Sequence, residues 1–263
     1  MTTQLARLKD ERPALWMLGN STLANGVDEA ALTRGGASVV RLTHGSATVG
    51  GTAAMLDYYL QRAQAPRQVL IFATLDDFNP NGMRAEVSRE YAKIDATGKL
   101  PKPELLALRA VRASLKTKLF VIYQRLRGGK SETAGGGDSQ DGVFSGEPIP
   151  PGSNGFAALA RDYAVQADAF PALAAAARRR GIGRVTLVLL PITDRLADWH
   201  DRRTPTLSYA RVRATVKEEC EKSGLAFVDW GEPLSDYSLF KDPYHLNARG
   251  RAWLTQKVQR ELL

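Results

Sequence analysis

The sequence is poor in the residue types that form disulfides and thiolate metal sites. Its 263 residues include one cysteine, Cys220, and three histidines. An internal disulfide is therefore impossible, and a zinc site built from several cysteines is excluded. No apolar stretch approaches the ~20 residues that span a bilayer, and the charged first eleven residues do not resemble a signal peptide. As written, the sequence predicts a cytoplasmic protein, or an extracytoplasmic one if a membrane anchor precedes these residues.

Basic residues outnumber acidic residues by 36 to 28, which gives a formal net charge of +8. Such a balance can indicate nucleic acid or an anionic membrane as a partner. However, the sequence has no nucleic-acid motif, and the run 178–180 of three arginines followed by Gly181 is typical of a helix carboxyl terminus. We therefore expect no nucleic-acid partner and at most peripheral contact with a membrane.

Short apolar runs alternate with longer helical patterns along the chain. The runs are Ala14–Leu18, Ser38–Leu42, Gln68–Ala73, Arg184–Leu190 and Leu225–Asp229, and the helical patterns lie near residues 51–64, 155–180, 207–222 and 248–262. Near-continuous apolar runs are typical of parallel strands that are covered on both faces. The sequence thus predicts an α/β fold, a three-layer α/β/α sandwich with a five-stranded parallel sheet, in one domain over residues 1–263.

Two segments after the third apolar run fall outside this alternation. Leu105–Leu126 carries leucines at helical spacing, which favours docking on the sheet or on a partner over a position on a membrane surface. Gly128–Gly155 is rich in glycine, serine and proline and is typical of a flexible loop. We therefore expect a helical insertion and a flexible loop at about residues 84–155.

A serine follows the first predicted strand in the sequence Gly19-Asn20-Ser21. In an open parallel sheet, functional residues lie beyond the carboxyl ends of the strands. A hydroxyl at this edge can act as a nucleophile, with nearby backbone N–H groups to stabilise an oxyanion. By itself, a serine or asparagine in this place is also a common helix cap.

The last predicted helix is preceded by Asp242 and His245, and Asn247 is its expected N-cap. A histidine that acts as a general base needs a hydrogen-bond acceptor on its second ring nitrogen. An aspartate three residues earlier can supply that acceptor. Together with Ser21, these residues are typical of a Ser–His–Asp site on an α/β sheet.

The first and last motifs resemble those of the SGNH, or GDSL-like, hydrolase superfamily. Its first block is similar to Gly19-Asn20-Ser21, and its last block, of the form D-x-x-H-L-N, is similar to residues 242–247. The resemblance implies a flavodoxin-like fold and chemistry through an acyl-serine, without a cofactor or a metal ion. It implies Ser21 as the nucleophile, His245 as the base and Asp242 as the residue that orients the base.

The same resemblance implies an oxyanion hole, from which this sequence departs at one position. The N–H groups of Ser21 and Gly45 are the first two implied donors. The family's third block, G-x-N-D, corresponds here to residues 74–77, and Asp76 stands at the position of the donor asparagine. Because an ionised carboxylate accepts hydrogen bonds and does not donate them, Asn79 is the alternative third donor.

In this departure the sequence resembles the envelope-polymer acyl-transfer branch of the superfamily. That branch includes the D-alanine transfer proteins of teichoic acid synthesis and polysaccharide O-acetylation proteins. Gly26-Val27-Asp28, and Pro191 after the fourth strand, also resemble that branch. The resemblance implies a serine esterase or acyltransferase that acts on an ester of a carbohydrate or cell-envelope polymer. The expected partners are an acylated carbohydrate or small ester and a membrane acyltransferase. The alternative is a non-catalytic carbohydrate-binding or scaffold protein with the same fold.

Substrate binding is expected where the chain passes the same edge of the sheet. Thr193–Pro205 follows the fourth strand and contains Trp199 and His200, which can form a wall that stacks on a sugar. The alternative is an exposed connecting loop. Asp76 completes the predicted substrate-binding set, and for His44 a structural role is favoured over substrate binding.

Overall fold

A computed structural model describes residues 2–11, 13–45, 47–80, 142–149 and 163–263. Within them, five strands form one parallel sheet in the order β2-β1-β3-β4-β5. The strands are β1 (Leu15–Gly19), β2 (Val39–Thr43), β3 (Gln68–Ala73), β4 (Arg184–Leu189) and β5 (Ala226–Asp229). The strand order reverses beside β1, which is the place where α/β folds of this kind hold their functional sites.

Helices cover both faces of the sheet. In the described part of the chain they are α1 (Thr2–Glu11), α2 (Ser21–Gly26), α3 (Glu29–Arg34), α4 (Val49–Leu60), α5 (Ala169–Arg179), α6 (Asp194–Arg203), α7 (Tyr209–Ser223) and α8 (Ala248–Glu261). Two 3₁₀ turns, Leu75–Phe78 and Tyr237–Leu239, follow β3 and precede α8. The amino-terminal ends of several helices therefore lie close to strand ends.

The hydrophobic core is divided by the sheet into two layers. Successive side chains of a strand point to opposite faces. Accordingly, Trp16 and Leu18 belong to a cluster with α4, α5, α6 and α7, whereas Leu15 and Met17 belong to a second cluster with α2, α3 and α8. This is the predicted three-layer α/β/α sandwich, and the prediction of the fold class is confirmed.

The observed element bounds differ from the predicted ones mainly by one residue at strand ends. The apolar runs give the position and the direction of all five strands. The helical patterns correspond to α4, α5, α7 and α8. Of the pattern near 155–180, residues 155–162 lie outside the described residues, residues 163–168 are not helical, and α5 begins at Ala169. The helix α2 begins at Ser21, beside the helix cap expected after the first strand. Three further helices of the described residues have no counterpart in the prediction: α1, α3 and α6. They are short or strongly polar, so an apolar stripe does not mark them.

The predicted helix over Leu105–Leu126 lies outside the described residues, and so does most of the predicted loop Gly128–Gly155. Of that loop, the structure describes residues 142–149, which contain neither helix nor strand. The single-domain organisation stays a prediction. In the part of the chain that the structure describes, no helix has the length and apolar character of a membrane span.

Candidate active site

Three side chains from opposite ends of the chain form a hydrogen-bonded row at the carboxyl edge of the sheet. Ser21 Oγ lies 2.9 Å from Nε2 of His245. The other ring nitrogen, Nδ1, lies 2.7 Å from Oδ2 of Asp242. The side chains of His245 and Asp242 are 14% and 24% exposed, so solvent reaches the row. A proton can therefore pass from a serine hydroxyl to an imidazole that a carboxylate orients.

Ser21 owes its position to the abrupt end of β1. A Cβ atom on Gly19 would lie 2.8 Å from the carbonyl oxygen of Phe72 and 2.9 Å from Cβ of Leu23. A side chain at this position would therefore push β1 away from β3. Asn20 then serves as the N-cap of α2, since its side chain accepts a hydrogen bond from the N–H of Thr22 at 2.9 Å. Ser21 is consequently the first residue of α2.

His245 stands in a loop that is fixed on both sides. Phe240 and Leu246 form an antiparallel bridge across the loop. The N–H of Lys241 donates to the carbonyl of His245 at 3.0 Å. Asn247, the N-cap of α8, donates from Nδ2 to the carbonyl oxygens of Ser238 at 2.9 Å and Phe240 at 3.2 Å. These backbone and side-chain bonds hold the imidazole in place before any substrate binds.

The Asp242 carboxylate accepts three hydrogen bonds. Oδ1 accepts from the backbone N–H groups of Tyr244 at 3.1 Å and His245 at 2.8 Å, and Oδ2 accepts from Nδ1 of His245. Burial acts to raise the pKa of Asp242, but the hydrogen bond and charge of His245, with the two backbone N–H groups, outweigh it and lower that pKa below its ordinary value. Asp242 is therefore ionised at neutral pH, and the Nδ1 proton stays on His245.

The predicted oxyanion donors come from three different strand ends. Ser21 lies two residues after the end of β1, Gly45 lies two residues after the end of β2, and Asn79 is buried directly after the 3₁₀ turn Leu75–Phe78 that follows β3. A Cβ atom built on Gly45 would meet no atom within 4 Å, so this backbone borders open space. The parallel topology places these residues on one edge of the sheet, and their roles stay predictions.

Asp76, Trp199 and His200 come together, but not as a sugar-binding wall. Trp199 and His200 are each 2% exposed, because Thr193–Pro205 is not a loop: residues 194–203 form α6. With Asp76 they line an enclosed cavity of about 10 Å³, whose lining includes neither Ser21 nor His245. A cavity of this size has room for about one water molecule. The prediction of an exposed wall, and its alternative of an exposed loop, are both wrong for these residues.

The chain matches no protein-family model and no curated protein sequence. Among solved structures, it is similar to a protein from Streptococcus pneumonia provisionally described as a platelet activating factor, with 11% identity, a TM-score of 0.51, and coverage of 100% of this chain and 90% of that chain. A provisionally described acylhydrolase from Bacteroides fragilis has 12% identity and a TM-score of 0.47, with coverage of 98% of this chain and 91% of that chain.

The chain has an SGNH hydrolase-like fold. At such low identity the likeness concerns the fold alone. Within this SGNH-like fold, the predicted roles of Ser21, His245 and Asp242 are supported by their own geometry and stay predictions. Among the described residues, no group of histidine, cysteine, aspartate and glutamate side chains has the arrangement of a metal site.

Two further residues near Ser21 were not assigned to the candidate site from the sequence. Asp77 is buried and contacts Asn20 across the strand ends. Lys241 donates from Nζ to Oδ1 of Asn25 at 3.0 Å, and Asn25 Nδ2 donates to the carbonyl of Ser21 at 2.6 Å. The spacing Thr74-x-x-Asp77 is that of a capping box, which is a local signal for Asp77. No local pattern marks Lys241.

His44, directly before Gly45, is buried against Tyr59, with 5.6 Å between the ring centroids. Burial lowers the pKa of His44 to about 4. Because the ordinary value is about 6.5, the unfolded chain takes up this proton first as the pH falls, and the folded state loses stability between about pH 6.5 and pH 4. We expect the uptake of this proton by the unfolded chain to lower the free energy of unfolding by about 2 kcal/mol as the pH falls from 7 to 5.

Urea unfolding of the wild type and of His44→Gln at both pH values measures this contribution. The wild type should lose about 2 kcal/mol more than the variant over this interval. The comparison uses only the pH-dependent difference, so a constant destabilisation by the glutamine cancels. Equal losses in the two proteins would show that His44 does not contribute.

Proposed function

We propose that this protein is a serine hydrolase that cleaves carboxylic esters through an acyl-serine intermediate. The observation that carries the proposal is the row from Ser21 Oγ to His245 Nε2 at 2.9 Å and from His245 Nδ1 to Asp242 Oδ2 at 2.7 Å. The hydroxyl, the imidazole and the carboxylate are in hydrogen-bond reach in the order that this chemistry requires. The partial exposure of His245 supports access of a substrate.

In the proposed reaction, the hydroxyl oxygen of Ser21 attacks the acyl carbon while its proton moves to Nε2 of His245. Asp242 keeps the other ring proton on Nδ1, so Nε2 has a free lone pair, and the carboxylate stabilises the imidazolium that forms. The N–H groups of Ser21 and Gly45, with Asn79, are the proposed donors to the tetrahedral oxyanion. When the intermediate collapses, His245 returns the proton to the leaving alcohol, and the acyl group stays on Ser21.

The second half of the reaction decides between hydrolysis and transfer. His245 takes a proton from water or from a sugar hydroxyl as that oxygen attacks the acyl carbon; the bond from the acyl carbon to Ser21 Oγ then breaks, and His245 returns the proton to Oγ. We propose an ester of a carbohydrate or cell-envelope polymer as the substrate, with a membrane acyltransferase as a candidate partner. This part rests on the resemblance of the sequence motifs, because Trp199 and His200 are buried and do not supply a sugar platform.

The alternative of a non-catalytic carbohydrate-binding or scaffold protein has less support. That function does not require a serine hydroxyl within hydrogen-bond distance of an imidazole, and a separation beyond that distance would favour it. The contact of 2.9 Å argues against it. The carboxylate of Asp76 at the position of a donor asparagine would suit a non-catalytic protein, but Asp76 is buried and lines a cavity with Trp199 and His200.

A serine-directed fluorophosphonate tests the proposal. We expect the wild type to be labelled. Ser21→Ala should lose about 95% or more of the wild-type label. Ser235→Ala is the matched control, because Ser235 is exposed in the segment between β5 and α8 and does not belong to the row. Labelling of Ser21→Ala at the wild-type rate would refute Ser21 as the nucleophile.

A further inference from the structure

Behind Ser21 lies a buried pair of polar side chains, Asn20 and Asp77. Both are at most 2% exposed, and Nδ2 of Asn20 donates a hydrogen bond to Oδ1 of Asp77. The two residues are 57 positions apart in sequence, so the bond joins the carboxyl ends of β1 and β3. Neither residue has a role in the chemistry described above.

The Asn20 side chain makes four hydrogen bonds, which is its full capacity. Oδ1 accepts from the N–H of Thr22 at 2.9 Å and from its hydroxyl at 2.8 Å. Nδ2 donates to Asp77 and to the carbonyl of Ala47 at 3.3 Å. The backbone partners fix the orientation of the amide, since only its nitrogen can face a carbonyl and only its oxygen can face an N–H.

Asp77 is fixed in turn by the end of β3. Its Oδ2 accepts from the N–H of Thr74 at 2.7 Å and from the hydroxyl of Thr74 at 3.2 Å, so Oδ1 is directed to Asn20. The result is a polar bridge that runs from β3 through Asp77 and Asn20 to the segment after β2. Because every member is buried, the loss of one bond leaves a buried polar group without that partner, at a cost of about 1–3 kcal/mol.

We propose that Asp77 is a positioning residue for the nucleophile: acting through Asn20, it fixes the turn at the end of β1 and thereby holds Ser21 Oγ in line with His245. Ser21 follows Asn20 directly, so a shift of the Asn20 backbone moves the hydroxyl relative to Nε2 at 2.9 Å. The inference rests on the proposed function, because it concerns the reactivity of Ser21. A displacement of about 1 Å at a reacting atom costs about 10²-fold in rate.

Exchange of the two side chains tests the pairing. In Asp77→Asn, one amide N–H must face another donor, either Asn20 Nδ2 or the N–H of Thr74, and the bridge is broken. In Asn20→Asp, two carboxylates face each other. In the double variant, the new amide donates to the new carboxylate and still accepts from Thr74, while the new carboxylate still accepts from Thr22. The unfavourable contact that remains is between that carboxylate and the carbonyl of Ala47.

The measurements are the rate constant of fluorophosphonate labelling, kcat and KM for a small aryl acetate, and the melting temperature. We expect each single variant to label and turn over about 10²-fold more slowly, with KM within about twofold of the wild type. The double variant should be faster than either single variant. Asp57→Asn is the matched control: Asp57 is also buried and accepts from Gln61 at 2.6 Å and Arg179 at 2.7 Å, but it lies on α4.

Each outcome decides a different question. If the wild type is not labelled, the proposed function fails. If the wild type is labelled and Asp77→Asn reacts at the same rate, or if the effects of the two single variants simply add in the double variant, the positioning role is overturned. Should the carboxylate exchange prevent folding, Asn20→Ser replaces it, because serine keeps an N-cap oxygen and removes the amide Nδ2 that donates to Asp77. In that case Asn20→Ser must slow labelling about 10²-fold, and a wild-type rate overturns the inference.

Discussion

Replacement of His245 by alanine is expected to lower kcat/KM for a small aryl acetate by roughly 10⁴–10⁶-fold, with little change in the melting temperature. The effect is large because the imidazole acts twice: it removes the proton of Ser21 and later delivers a proton to the leaving group. Without it, the serine hydroxyl has no base within hydrogen-bond distance in the described structure. The initial rate of aryl alcohol release, at several substrate concentrations, is the measurement.

A rescue experiment separates the chemical loss from a change in the loop. Truncation to alanine leaves space for a ring at a position that is 14% exposed in the wild type. Added imidazole should therefore restore part of the hydrolysis in His245→Ala and leave the double variant with Ser21→Ala inactive. If His245→Ala hydrolyses the ester as fast as the wild type does, His245 is not the base.

The same residues show why part of the site is readable from the sequence. Ser21 follows a buried apolar run, and the run predicts both the strand and the edge at which it ends. Asp242 and His245 are three residues apart, so their contact is local and the spacing D-x-x-H expresses it directly. Only the contact between Ser21 and His245 depends on the whole fold, and the parallel topology of the sheet supplies it.

The prediction for Trp199 and His200 failed although local signals were present. Thr193 accepts from the N–H of Leu196 as an N-cap, Asp194 lies in the first turn of α6, and cations lie in its last turn. These are helix signals. If these helix signals are not counted, a segment this rich in charged residues resembles an exposed loop. Because Leu196 and Trp199 of this helix belong to the buried hydrophobic cluster, Trp199 and its neighbour His200 are inside the protein and not on its surface.

The hydrogen bond between Asn20 and Asp77, in contrast, cannot be predicted from the sequence. Asn20 is recognisable as a cap, and Asp77 has the spacing of a capping box with Thr74. Their hydrogen bond to each other cannot be derived from either motif, because it depends on the close approach of β1 and β3 at Gly19. In the sequence, only the glycine that permits it marks this close approach of two backbones.

The exchange of Asp242 for asparagine is expected to reduce kcat by about 10³–10⁴-fold, with KM nearly unchanged. The reason lies in the three bonds that the carboxylate accepts. If the amide oxygen stays with the backbone N–H groups of Tyr244 and His245, the amide nitrogen faces Nδ1 and forces the histidine into the tautomer with its proton on Nε2. That nitrogen then donates to Ser21 and cannot take its proton.

The reverse orientation of the amide does not avoid the loss. It would keep the Nδ1 proton, but it would place an NH₂ group against two backbone donors at distances near 3 Å in the wild type. Asp236→Asn is the matched control, because Asp236 accepts from the N–H of Ser238 at 3.2 Å in a similar turn and has no histidine partner among its described contacts. We expect that control to keep kcat within about twofold of the wild type. A similar kcat for Asp242→Asn and the wild type would contradict the assignment of the tautomer, since one amide orientation blocks the proton transfer and the other is disfavoured by the two backbone donors.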